Sequence, residues 1–192
     1  RIFPNKKTNY LDFDIRMKET PFKVLGFVFK DIASDLDGEL TGNAKLTGTF
    51  NKPEINGLAH LKNGGFTIDY LKTHYTFEDD IKITKNSFEF DNVKIYDENK
   101  REALANGRVT HNNFGAWAID ITVKNFSNYK ILNTNNRDND LFYGIGYATG
   151  SISMVGDVDN IKMVMYLKSN RGTLINIPLT NPEYSSKSSY IT

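Results

Sequence analysis

The chain has no cysteine in its 192 residues, which excludes disulfides, thiolate metal sites and a cysteine nucleophile. It also has no charge of one sign to spare. Twenty-four Lys and Arg against 23 Asp and Glu leave a formal net charge of +1, so the chain as a whole has no long-range field to attract nucleic acid or an anionic membrane. Long apolar runs are missing too. Val24 to Phe29, the longest near the start, is interrupted by Gly26 and is far too short to cross a bilayer. No stretch has the layout of a signal peptide. No window sustains a helical period between caps, so little or no helix is expected, with a short turn around Ser127 to Leu132 as the best candidate.

Catalytic and metal-binding patterns are equally scarce. The three histidines, His60, His74 and His111, lack the close spacing of a zinc site. Glu78-Asp79-Asp80 alternate across the faces of a strand, and Asp157-Val158-Asp159-Asn160 lacks the calcium-loop pattern. No glycine-rich loop runs into a lysine and a helix, and there is no serine elbow. Tyr70-Leu71-Lys72 and Tyr129-Lys130 interleave aromatic and basic residues, yet without a basic excess they read as strand packing. The expectation is a protein that is not an enzyme and carries no cofactor.

What is present is alternation with a period of two. It runs through Leu11, Phe13, Ile15 and Met17; through Phe66, Ile68 and Tyr70; and through the pairs Ile81 and Ile83, Phe88 and Phe90, and Val93 and Ile95. It continues through Trp117, Ile119, Ile121 and Val123, through Met163, Met165 and Leu167, and through Thr173, Ile175, Ile177 and Leu179. Each set predicts a strand apolar on one face and wet on the other. Turn signals separate the sets: Asp37-Gly38, Asn56-Gly57, Asn63-Gly64-Gly65, Lys85-Asn86, Asp97-Glu98-Asn99-Lys100, Asn106-Gly107 and His111-Asn112-Asn113. One spacing occurs twice: Gly38, Gly42 and Gly48 match Gly146, Gly150 and Gly156, followed by Ile55 and Ile161. It reads either as a duplicated β-unit in a solenoid-like array or as recurrent glycine bulges. One all-β domain over residues 1–180 is expected, with a polar, serine-rich tail at 181–192.

Three stretches together resemble the TamB-like translocation and assembly module family, in its Bacteroidetes-type form. They are Gly38-Glu39-Leu40-Thr41-Gly42 through Leu61-Lys62-Asn63-Gly64-Gly65-Phe66; Tyr70 to Phe77 with Ile95-Tyr96-Asp97 and Ala105 to His111; and Leu132-Asn133-Thr134 to Leu179. The resemblance implies a β-taco, an elongated curled sheet with an open apolar concave face. It further implies a periplasmic bridge between the inner and outer membranes, with its anchor outside this chain. The implied partner is an outer-membrane barrel of the Omp85 type (TamA-like), and the implied work is outer-membrane protein assembly, protein secretion or outward movement of phospholipid.

An open apolar groove suits an acyl chain. At about 0.8 kcal/mol per buried methylene, a chain of about sixteen carbons gains on the order of 12 kcal/mol by leaving water. The groove is expected to be lined by Phe66, Ile68, Ile81, Ile83, Phe88, Phe90, Ile119, Ile121, Val123, Met163, Met165, Ile175 and Ile177, within the uncertainty of one residue that any bulge introduces. A nascent outer-membrane strand is the other guest considered, added at a sheet edge. The alternative architecture is a closed β-sandwich, a binding module for carbohydrate for example, in which the same residues are core.

Overall fold

The alternating stretches form strands because β-branched and aromatic side chains on every second residue cover one face of a pleated sheet. A computed structural model describes residues 10–29, 32–158 and 160–178. The strands are β1 (Tyr10–Pro21), β2 (Ala33–Thr49), β3 (Lys52–Ile68), β4 (Thr73–Thr84), β5 (Ser87–Asp97), β6 (Glu102–Asn112), β7 (Ala116–Thr134), β8 (Tyr143–Asp157), β9 (Asn160–Ser169) and β10 (Leu174–Asn176). They make one antiparallel sheet in chain order up to β8. Beyond it β9 and β10 share the far edge of β8, with β9 beside Ala148–Asp157 and β10 beside Tyr143–Ile145. Among the described residues β1 does not pair with β9, so the sheet is curled and open, in the manner of a β-taco. The described residues make one sheet and not two, so the closed sandwich does not hold. Leu179, the expected tail and Asp159 lie outside the described residues.

Bulges curl the sheet. Register shifts fall between Met17 and Thr20 on β1, Leu61 and Gly64 on β3, Phe90 and Val93 on β5, and on either side of Phe126 on β7. Each shift holds a residue of positive φ: Glu19 (51°), Asn63 (51°), Asn92 (52°), and Asn125 (61°) with Asn128 (51°). Asparagine tolerates that conformation better than most residues. Each bulge bends its strand and adds twist, and with a further one at Asp35 (50°) on β2 they recur across the sheet and curl it.

The curl closes at one end. β7 pairs with β6 only as far as Lys124, and its remainder bends over the β5–β6 turn to reach β4. There the rings of Tyr75 and Tyr129 stack at 5.4 Å and 6°. The Tyr75 hydroxyl donates to the Lys130 carbonyl at 3.0 Å, and the Asn133 amide donates to the Leu71 carbonyl at 2.9 Å. Asp97 staples the turn in place, accepting from the amides of Asn99, Arg101 and Lys130 at 2.8, 2.9 and 2.9 Å.

Ser127 to Leu132, the stretch read from sequence as the best candidate for a turn of helix, is therefore strand. The reason is a series of three register shifts, the last between Lys130 and Leu132, which puts Phe126, Tyr129 and Leu132 inside at a spacing of three and so imitates a helical period. Helix occurs instead as one 3-10 turn, Phe22–Leu25, continued by an α-turn, Gly26–Phe29. Pro21 starts it with φ at −56°, near its fixed ring value.

The repeated glycine spacing has a physical meaning at two of its positions. A Cβ at Gly42 would strike the Leu58 carbonyl, and one at Gly150 the Tyr166 carbonyl, so each glycine lets the next strand lie close. The hairpins match as well, since Gly48 pairs with Pro53 and Gly156 with Ile161. Ile55 and Ile161 are not equivalent, because Ile55 pairs with Leu46. The two copies are hairpins within one meander and not units of a solenoid.

Candidate functional site

Directly paired residues in an antiparallel sheet point to the same side, which identifies the inner face row by row. One row runs Ile83, Phe88, Val109, Ile119 and Gly156; the next runs Gly107, Ile121, Met154 and Met163; a third runs Ala105, Val123, Ile152 and Met165. The inner face is apolar throughout these rows. The outer face carries the opposite pattern, Lys82, Glu89, Arg108 and Asp120 in one row, with Lys82–Glu89 and Arg108–Asp120 ion pairs at 3.3 and 3.2 Å. A shallow depression lies on that side, lined by residues such as Asp80, Lys82 and Arg108.

The thirteen expected lining residues fall into two groups. Phe66, Ile68, Phe90 and Val123 pack against a cluster built on Tyr75, Val93, Ile95, Phe126 and Tyr129 at the closed end. Ile81, Ile83 and Phe88 belong to a second cluster with Leu40, Ala59 and Leu61, while Ile119 and Ile121 join a third with Val109 and Met154. Met163, Met165, Ile175 and Ile177 are exposed and join none of these clusters. Met163 and Met165 carry the inner face out to the free edge of β9, and Ile175, paired with Gly144, does the same on β10.

The sequence reading missed what lies across the inner face. Phe22 is buried among Leu40, Leu61 and Phe77, and Phe29 touches both the second and the third cluster. Phe27 meets Trp117 edge-on, with centroids 6.2 Å apart. The helical segment thus fills the space between the two walls. A signal was there: Phe22, Leu25 and Phe29 recur at spacings of three and four directly after Pro21. Ile152, Met154, Ile161 and Leu167 were also left out of the expected lining, although register places them on the same face.

Polar groups near this face are structural. His111 is buried; its Nδ1 accepts from the Phe114 amide at 3.1 Å, its ring stacks on Phe114 at 4.1 Å, and its Nε2 has no partner. Burial holds its pKa below the ordinary value. Burial also raises both stacked phenols, Tyr75 to about 12. His60 lies on the surface between Asp80 (2.8 Å) and Glu78 (3.7 Å), and His74 shares a 3.1 Å hydrogen bond with Thr67. Among the described residues no three His, Asp or Glu side chains gather to hold a metal ion.

The curled sheet and apolar inner face agree with a family model, that of the TamB C-terminal domain, which matches residues 91–192, more than half of the chain. The chain belongs to the TamB family. The match covers β5 from Asp91 onward and all of β6 to β10, hence the closed end and the free β9 edge. Gly38 to Phe66 and Tyr70 to Phe77, quoted above for the resemblance, lie before it. No curated protein and no solved structure matched the chain. The TamB family belongs to the translocation and assembly module of the cell envelope and is not a family of enzymes. No helix among the described residues is long and apolar enough to cross a membrane, which says nothing of spans made by strands.

Proposed function

We propose that this TamB domain is the non-enzymatic C-terminal segment of a protein bridging the inner and outer membranes, of the kind carried by Bacteroidetes-type bacteria. Its inner face holds phospholipid acyl chains on their way to the outer membrane, next to an Omp85-type barrel partner. Residues 1–180 act as one domain in this reading. The observation that carries it is the pair of inner-face rows running without a polar break from the packed interior to an exposed edge, with Met163 and Met165 still 39 and 54 % exposed. An acyl chain covering such a stripe gains about 25 cal/mol for each Å² taken out of water. Methionine suits a guest of variable shape because its side chain is unbranched and adaptable.

Two measurements on the whole chain test this. A fluorescent fatty acid titrated into the protein is expected to bind saturably and to alter emission from Trp117, the single tryptophan, which touches Phe27 of the helical segment. Organic extraction of protein purified from its host, followed by mass spectrometry, should release phospholipid in stoichiometric amount. A stable protein that takes up no fatty acid and yields no lipid would remove the acyl-chain reading and favour a nascent outer-membrane strand as the guest.

A further inference from the structure

The segment from Asn160 to Pro178 differs from the rest of the chain. Overall charge is balanced to +1, yet this stretch has no Asp or Glu and three cations, Lys162, Lys168 and Arg171. All three are exposed. Between them β9 and β10 present large apolar side chains on both sides of the sheet. Met165 (54 %) and Ile175 (50 %) belong to the inner side, whereas Tyr166 (75 %) and Leu174 (65 %) belong to the outer. The far edge of β9 has no neighbouring strand among the described residues.

We infer that the β9–β10 edge docks on the surface of a bilayer carrying anionic headgroups. Apolar side chains exposed on both faces of one strand are not covered by adding another strand to its edge, which would satisfy backbone groups and leave the outer side chains in water. An edge dipped into the boundary between headgroups and acyl chains covers both faces at once. Tyrosine at such a boundary keeps its ring among apolar groups and its hydroxyl in water. Lysine and arginine set around an apolar stripe extend their heads toward phosphate while their stems lie along it. The same lysines guard the edge against pairing with another strand, so the charge complements lipid and discourages protein. The inference does not depend on the groove holding an acyl chain, since Tyr166 and Leu174 lie on the opposite face.

Flotation of the whole chain with vesicles tests it. The protein is expected to float with vesicles of phosphatidylcholine containing phosphatidylglycerol and to stay behind with phosphatidylcholine alone. Each cation near an anionic surface contributes a few-fold to affinity, so Lys162→Gln, Lys168→Gln and Arg171→Gln together should weaken binding about a hundredfold. Tyr166→Ser with Leu174→Ser should weaken it independently, while fatty-acid uptake, measured without vesicles, stays as it was. Because the chain has no cysteine, Tyr166→Cys carries a single environment-sensitive dye, whose emission should shift to the blue on adding the anionic vesicles. Failure of the unaltered chain to float, flotation that ignores headgroup charge, or flotation unchanged by both sets of substitutions would overturn the inference. So would a Tyr166→Cys dye that stays in water while a strand peptide from an outer-membrane barrel shifts it.

Discussion

Replacing Asp97 with alanine tests how the curl is held shut. The carboxylate is wholly buried, and its three acceptor contacts come from two separate places: Asn99 and Arg101 in its own turn, and Lys130 on β7. Hydrogen bonds to a charged group are worth about 1.5–3 kcal/mol each, and a buried donor left without its partner loses about as much. The two contacts inside the turn regain water more easily than the one to Lys130, whose side chain is only 12 % exposed. The expected loss is about 3–5 kcal/mol, a large part of the stability of an ordinary domain. With a slope of about 2 kcal/mol per molar in urea, the unfolding midpoint should fall by about 1.5–2.5 M. Glu98→Ala is the control. Glu98 pairs with Lys130 at 2.6 Å but is 37 % exposed, so its loss should cost less than about 1 kcal/mol. Hydrogen exchange in Asp97→Ala should speed up at the Lys130 and Asn133 amides before it does elsewhere. A midpoint shift below about 0.5 M, or exchange that rises evenly over the sheet, would refute the claim that this carboxylate pins β7 over the β5–β6 turn.

Two further outcomes are expected. Gly150→Ala puts a methyl group against the Tyr166 carbonyl at a φ of +153°, so β9 should separate from β8; hydrogen exchange at Ile161 to Leu167 should rise steeply, with a stability loss of about 2 kcal/mol or more, and unchanged exchange there would refute it. His111 is kept neutral by burial, with a folded pKa lowered from an unfolded value of 6.5. Below about pH 6.5 the unfolded chain binds the proton more readily, so stability falls as the pH drops from there toward the folded pKa and levels off beneath it. His111→Phe should remove that slope at a cost of about 1–3 kcal/mol at neutral pH, since the Phe114 amide loses its acceptor Nδ1 while Nε2 has no partner to lose; urea midpoints at pH 7.5 and 5 for both proteins provide the check.

Much of the fold was legible because alternation and turn chemistry act locally. Ile119, Ile121 and Val123 read as one face of a strand, and so they stand on β7. Asp97-Glu98-Asn99-Lys100 read as a turn and joins β5 to β6. The reading failed where β7 carries three register shifts within ten residues. Asn125 and Asn128 each move the alternation by one, a third shift follows between Lys130 and Leu132, and nothing local says that Phe126, Tyr129 and Leu132 all turn inward. The helical segment was lost for another reason. Eight residues are too few to form helix by themselves in water, and Phe22 to Phe29 holds its shape through contacts with Leu40, Phe77 and Trp117, remote in sequence. For the candidate site, sequence separated inner from outer faces but not covered from open ones. Ile83 and Met165 look alike as alternating apolar residues, and only their distance from the free edge makes one buried and the other exposed.

The two ends of the curl are held by different kinds of force, and that difference bears on where the proposed acyl chain would enter. At the closed end the contacts are directional: a carboxylate with three amide donors, a tyrosine hydroxyl on a carbonyl, and one stacked pair of rings. Such contacts have few alternative arrangements, so β4 and β7 cannot part a little to admit a chain without losing several at once. Toward β9 the contacts are apolar and non-directional, and Phe29 of the helical segment packs there against Val109 and Ile119. Apolar packing can be exchanged for other apolar packing at small net cost, because an acyl methylene and a phenylalanine ring leave water for similar reasons. In the proposed acyl-chain reading, entry would therefore be cheapest past Met163 and Met165, and the chain would compete there with Phe27 and Phe29 and not with the Asp97 staple.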